Sequence, residues 1–275
     1  MADSIQRAVT PESAAKKLIN LVEIAGNNGL FLAYRMNPIR KFLFPGESMS
    51  LKAVELSIHR KYRQGLGGGN IVKAINKLPD AGKNHALLNL NALRFGLEHL
   101  AEDCLIHINL EMGPFGRQQH AKYFNTLVRS LDSDDFTNEQ LARCVLEVTE
   151  RDPLTVHALR RLEKLAKRGI KLALDDLGYG YLDPKSDKGR NNLDSIRKNG
   201  VHFHTLKLDK KYAEPMDATE CINMLSDVNI PANIIVVEYF SEDTEWQQRL
   251  ASFAQMAETY LGIKDIWVSM GTDTL

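Results

Sequence analysis

The strongest constraint on this chain is a repeated switch between two hydrophobic periods. From Leu30 onward, short apolar or β-branched runs recur at Leu30–Met36, Leu51–Ile58, Leu105–Leu110, Cys144–Thr149, Lys171–Asp175, His204–Leu208, Ile234–Glu238 and Ile266–Ser269. Each has the length and residue types of a strand. Between most of them lie amphipathic stretches of helical period: Ile71–Lys77, Ala86–Leu100, Gln118–Leu131, Pro153–Arg168, Asn191–Lys198, Asp217–Val228 and Glu242–Tyr260. Alternation of this kind predicts a mostly parallel sheet covered by helices. Eight strands predict closure into an α/β barrel of the (β/α)8 type. A doubly wound open sheet is the other option, but no GxGxxG follows an early strand. The first two strands are joined by about 14 residues with Pro45-Gly46 and no clear helix. A parallel crossover needs more than that, so the first pair reads as antiparallel, a modification of the regular barrel.

Ahead of the barrel, residues 1–29 read as a lead followed by a helix from Pro11 to Ile24, with Leu18, Leu21 and Val22 as its apolar stripe. The barrel domain then occupies 30–275. The 275 residues suit one large domain or two small ones. Two loops stand apart. Gln64–Asn70 is glycine-rich but lacks the Gly-Lys-Ser/Thr of a phosphate loop and reads as a connection. Asp183–Asn192 is charged and follows Gly178-Tyr179-Gly180-Tyr181, so it reads as a surface insertion or lid.

Composition excludes several functions. Lys plus Arg number 35 and Asp plus Glu 35, so the net charge is 35 − 35 = 0. That balance argues against a nucleic-acid polymer or an anionic membrane as partner. Cys104, Cys144 and Cys221 are odd in number, scattered and without CxxC, as expected of buried thiols in a reducing cytoplasm rather than of disulfides or structural zinc. No apolar run reaches the ~18 residues of a membrane span, and Met1–Ala15 has no signal-peptide core.

In a barrel, reactive groups belong at the C-terminal ends of the strands. Those ends are unusually acidic. The second strand carries Glu55 in an apolar context and the third carries Asn109. The fourth has Glu147 with Glu150 beyond it, and the fifth ends in Asp175-Asp176. The sixth carries Lys207 before Asp209, and the seventh ends in Glu238. Singly, each has an ordinary explanation: Asp209 as a helix cap, Glu150 as a cap for the helix at Pro153, Lys207 as a wall ion pair. Jointly, the carboxylates of Glu55, Glu147, Asp175, Asp176 and Glu238, the Asn109 amide and Lys207 are expected to converge on one rim, and that many acids repel unless cations neutralise them. Oxygen donors with no His among them suit Mg²⁺ or Mn²⁺ better than zinc.

These motifs resemble, in order, those of EAL domains, the bacterial cyclic di-GMP phosphodiesterases. Leu146-Glu147-Val148-Thr149-Glu150 is similar to ExTE, Asp175-Asp176-Leu177-Gly178-Tyr179-Gly180-Tyr181 to DDFGxGY, Lys207-Leu208-Asp209 to KxD, and Val237-Glu238 to the start of EGVE. Asn37-Pro38-Ile39 resembles the family's QPI, and Glu55-Leu56-Ser57 stands at its Glu-Ala-Leu signature. The resemblance implies a modified TIM barrel with an antiparallel first strand. It implies a two-metal site with Glu55, Asn109, Glu147 and Asp175 on one ion and Asp175 and Asp176 on a second. Lys207 would hold the attacking water, with Glu238 as base or its partner. Asn37, Leu56 and His59 would touch substrate, and Glu150 would organise the loop after Asp176. A homodimer is the family's habit. Departures fall at the ligand-binding edges: the Glu-Leu-Ser signature, His59 with Arg60 where one Arg is expected, Tyr239-Phe240-Ser241 after Glu238, and Trp267-Val268 in place of a late Gln-Gly. Two functions therefore stand: hydrolysis of cyclic di-GMP to linear pGpG, or a degenerate module that binds the nucleotide or a protein partner.

Overall fold

The computed structural model describes residues 19–23, 31–42, 50–59, 80–110, 117–151 and 153–269. Nine strands are found among them: β1 Ile19–Glu23, β2 Phe31–Lys41, β3 Leu51–His59, β4 Leu105–Leu110, β5 Cys144–Val148, β6 Lys171–Leu177, β7 Thr205–Leu208, β8 Ile234–Val237 and β9 Asp265–Ser269. They lie side by side in sequence order, and β2 also pairs with β9, closing β2–β9 into an eight-stranded barrel. β2 runs antiparallel to both neighbours, while β3 through β9 are parallel. The antiparallel first pair expected from the helix-free connection is therefore present.

Strand alternation sorts side chains onto two walls. On β4, Ile106, Ile108 and Leu110 face the helices and are fully buried, while His107 and Asn109 face inward. The outer wall is covered by α1 Ala81–His99, α2 Arg117–Leu131, α3 Asn138–Ala142, α4 Val156–Lys167, α5 Asp187–Asn199, the short α6 Lys210–Ala213, α7 Ala218–Val228 and α8 Thr244–Met256. Their starts are encoded locally. Thr137 and Gln140 form a capping box, Thr155 and Ser186 cap α4 and α5, and the Asp209 carboxylate caps α6 by accepting from the Lys211 N–H at 2.8 Å. Gly96 lets α1 lie close on the barrel. A Cβ there would meet Ile106 at 3.0 Å and Leu56 at 3.1 Å.

Three expectations change. Ile19–Glu23 is a strand on β2 rather than part of a helix. Its β-branched and apolar residues serve either period. The first half of β2 lies beyond the reach of β9, which pairs only with Ile39–Lys41, so β1 covers an edge that would otherwise be bare. The stretch 183–192 is no lid, because α5 begins at Asp187. Its charges are the exposed face of the first turns. Asn192 is buried, accepting from the Leu154 N–H at 2.8 Å and donating to the Tyr181 carbonyl at 3.0 Å. β2 continues through Pro38 to Lys41, where the periodic reading stopped at Met36. The Gln64–Asn70 loop and the helix expected at Ile71–Lys77 lie outside the described residues. The three cysteines are free and buried, and no described helix is long and apolar enough to cross a membrane.

Candidate active site

The inner wall has two zones. Ile39, Ala53, Ile234, Val236 and Trp267 pack as an apolar cluster. One strand-pair step along the same strands, Ala53 is followed by Glu55 and Val236 by Glu238. From β4 to β7 the step brings in His107, Asn109, Glu147, Asp175 and Lys207. Register aligns Asn37 with Glu55, Glu55 with His107, and Asn109 with Glu147.

Lys207 is the hub. It is 1% exposed, and its Nζ lies 2.7 Å from Asp175 Oδ1, 2.8 Å from Glu147 Oε1, 2.8 Å from Glu238 Oε1 and 3.8 Å from Glu55 Oε2. Burial alone would depress its pKa. The carboxylates of Asp175, Glu147, Glu238 and Glu55 overcome that and hold it well above the ordinary lysine value. One ammonium does not satisfy so many acids. Burial raises Glu55 and raises Glu147 to about 7, in each case against the pull of Lys207 and with Asp175 adding repulsion. Burial and then the neighbouring acids raise Glu238 well above the carboxylate range despite Lys207. Asn109 Nδ2 donates to Glu55 Oε1 at 3.4 Å, and the Asn109 carbonyl is held by Asn89 and the Tyr123 hydroxyl.

Asp176 joins through a backbone device. The β6–β7 register shifts between Leu174 and Leu177, and Asp176 takes a left-handed φ of 54°. Two successive residues of a regular strand face opposite ways, and this bulge removes the alternation. Asp175, Asp176 and Glu238 each bring a carboxylate oxygen within 4.8 Å of the others. Burial, then Asp175 and Glu150, raise Asp176 to about 7. The donor set is all oxygen, and Glu147 Oε2 is buried without a hydrogen-bond partner. Both fit a hard divalent cation.

The other expected residues fall as follows. The Glu150 carbonyl accepts from the Tyr181 N–H at 2.8 Å, so its main chain holds the loop after Asp176. Gly180 permits that approach, since a Cβ there would stand 2.4 Å from the same carbonyl oxygen. Asn37 is half-buried beside Glu55. Leu56 does not reach the mouth. With Glu55 inward, alternation turns Leu56 outward into the packing under α1. For His59 the described structure extends only to the backbone, which ends β3 opposite Ala33. Trp267 belongs to the apolar zone, two residues before the end of β9.

The site includes one residue the sequence reading did not pick out. His107 is fully buried, with Nδ1 2.8 Å from Glu147 Oε1. Burial, and then the charge of Lys207, hold its pKa down to about 3. Its signal was its place two residues before Asn109 on one strand, which puts both on one face.

No known family's sequence profile matches the chain, and no curated protein does. Solved structures do match. The EAL enzyme Bd1971, with cAMP and cyclic di-GMP bound, aligns over 87% of this chain and 60% of its own length at 18% identity and a TM-score of 0.58. The PaMucR phosphodiesterase in complex with cyclic di-GMP aligns over 88% of this chain and 93% of its own at 19% identity and a TM-score of 0.56. The Bacillus subtilis YkuI protein, which has an EAL domain and was solved with substrate cyclic di-GMP and calcium, covers 88% of this chain and 54% of its own at 19% identity and a TM-score of 0.52. The chain thus has the fold of EAL domain structures.

Proposed function

We propose that this chain is a divergent EAL-domain phosphodiesterase that hydrolyses cyclic di-GMP to linear pGpG in bacterial second-messenger signalling. The observation that carries the reading is the single buried ammonium of Lys207 ringed by Glu55, Glu147, Asp175 and Glu238, with Asp176 turned into the same mouth. Such a centre repels an anionic phosphodiester. It becomes a phosphate site only with cations added, and the oxygen donors suit Mg²⁺ or Mn²⁺.

Glu55, Asn109, Glu147 and Asp175 would hold one cation and Asp175 with Asp176 a second, with Glu238 in reach of the latter. When bound, two such ions supply water activation and neutralise charge on the phosphate. The remaining work falls to the chain. Lys207 donates an N–H to the incoming water and orients it. Glu238, 2.8 Å from the Lys207 ammonium, accepts the proton that water gives up as its oxygen bonds to phosphorus. The P–O3′ bond breaks, the leaving O3′ takes one proton from solvent while Glu238 returns the one it gained, and the ring opens to pGpG. Asn37, paired beside Glu55, would meet the nucleotide. The family resemblance supports a homodimer, and the three free, buried cysteines support a reducing cytoplasm.

The test is incubation with cyclic di-GMP and Mg²⁺ or Mn²⁺, with pGpG followed by chromatography. Turnover should stop with a chelator and fall about 100-fold or more in Glu238→Gln. Nucleotide binding without turnover in the folded wild type would favour the degenerate binding module instead. The altered signature and the outward-facing Leu56 are what support that second reading.

A further inference from the structure

His107 is not needed to explain the barrel. An apolar residue would fill the same fully buried place without putting imidazole nitrogens where water is excluded. Its position explains it better than its volume does. β4 points Leu105, His107 and Asn109 inward. Register sets His107 directly beside Glu55 on β3 and two residues before Asn109, which pairs with Glu147 on β5. Nδ1 contacts Glu147 Oε1 at 2.8 Å, and both side chains are 0% exposed. The other ring nitrogen, Nε2, is buried with no partner.

That asymmetry assigns the proton. A second N–H at Nε2 would be buried without an acceptor, so the neutral ring carries one N–H. With Glu147 ionised, as in the cation-binding state, its Oε1 can only accept and already faces Lys207 at 2.8 Å, so Nδ1 is the donor. Glu147 Oε1 then has two donors, His107 Nδ1 and Lys207 Nζ, each at 2.8 Å. The carboxylate cannot rotate without breaking both contacts. Oε2 is left bare, buried and unpartnered. A buried carboxylate oxygen without a partner is costly, and a cation relieves it.

We propose that His107 is a positioning residue: its Nδ1–H locks Glu147 so that Oε2 is the oxygen presented to a divalent cation. A lysine or arginine in its place could also donate, but would add a positive charge that opposes the cation. The neutral imidazole orients without that penalty. Histidine–carboxylate contacts behind a metal ligand commonly change affinity by about 10- to 100-fold when removed. The inference rests on the proposed cation site but not on the identity of the substrate.

The experiment is calorimetric titration of Mn²⁺ into the chelator-treated full chain, comparing wild type, His107→Phe and His107→Asn. Phe keeps the volume without the donor, and the Asn amide places an N–H near the position of Nδ1. The expected result is an Mn²⁺ dissociation constant raised about 10- to 100-fold in His107→Phe and largely restored in His107→Asn. Equal loss of thermal stability in both variants, with unchanged Mn²⁺ affinity, would overturn the role. Should His107→Phe fail to fold, nitrogen-15 NMR of the wild-type imidazole decides. A protonated Nδ1 and bare Nε2 support the role, and the opposite tautomer overturns it. Wild type that binds no Mn²⁺ overturns both the cation site and this role. Wild type that binds Mn²⁺ but leaves cyclic di-GMP intact overturns only the proposed activity.

Discussion

The two zones of the inner wall share strands, sheet and solvent exclusion, yet differ completely in chemistry. Ile234 and Val236 lie in one and Glu238 in the other, all on one face of β8 and its end. On β3 the step from Ala53 to Glu55 makes the same change. The apolar zone is held by burial, which contributes about 1.5–3 kcal/mol per large side chain. The ionic zone costs stability, as the raised pKa values of Glu55, Glu147, Asp176 and Glu238 record. The lesson is that a step of two residues, about 7 Å along a strand, separates what folds this barrel from what it is for.

Lys207→Met should break the ionic zone most severely, since it leaves the surrounding carboxylates buried without their shared cation. We expect a loss of about 3–5 kcal/mol in urea unfolding with chelator at pH 7.5, partly recovered by Mn²⁺. An unchanged midpoint would mean the acids were never confined together.

Adjacent residues on β5 sharpen the contrast. Leu146 faces the helices and is fully buried. Leu146→Ala should cost about 2–5 kcal/mol while leaving Mn²⁺ affinity intact in the folded protein. Glu147→Gln should do the reverse, abolishing tight Mn²⁺ binding with a midpoint at or above that of wild type.

The pH dependence isolates that effect. The Glu147 pKa rises on folding from its ordinary 4.5 to about 7, so the folded state holds the proton more tightly than the unfolded state. Its contribution to stability is present below pH 4.5 and is lost as pH rises to about 7. The stability of Glu147→Gln relative to wild type should therefore climb across pH 4.5 to 7, by no more than about 1.4 kcal/mol per unit, and level off above. A flat difference curve would show that Glu147 is not desolvated.

Smaller effects belong to the rim and the surface. Gly178 has φ 94°, and a Cβ there would stand 2.2 Å from the Tyr212 ring. Gly178→Ala should cost about 1–3 kcal/mol and lower turnover, because the loop it anchors follows Asp176. The exposed Lys167–Glu163 pair at 2.7 Å serves as the control. Lys167→Ala should shift stability by less than about 0.5 kcal/mol and leave cation affinity alone.

Much of this was legible in the sequence because the period of two carries it. The alternation in Leu105–Leu110 gives both walls of β4, and reading what each strand ends with assembles Glu55, Asn109, Glu147, Asp175 and Glu238 before any coordinates. The same alternation, followed strictly, turns Leu56 outward. The resemblance to a signature motif obscured that. His107 was missed because only strand ends were read and it lies one layer deeper. β1 was illegible because its edge partner is made by closure of the barrel, which local sequence does not encode. The left-handed turn at Asp176 was equally hidden, since an Asp-Asp pair predicts alternation until the bulge is seen.

The central claim is that the ionic zone is a cation site. Its most direct test is saturable Mn²⁺ binding to the chelator-treated wild type at pH 7.5, set beside Asp175→Asn. Binding in wild type that is lost in Asp175→Asn is the predicted result. No binding in wild type, or equal binding in the two proteins, would contradict it.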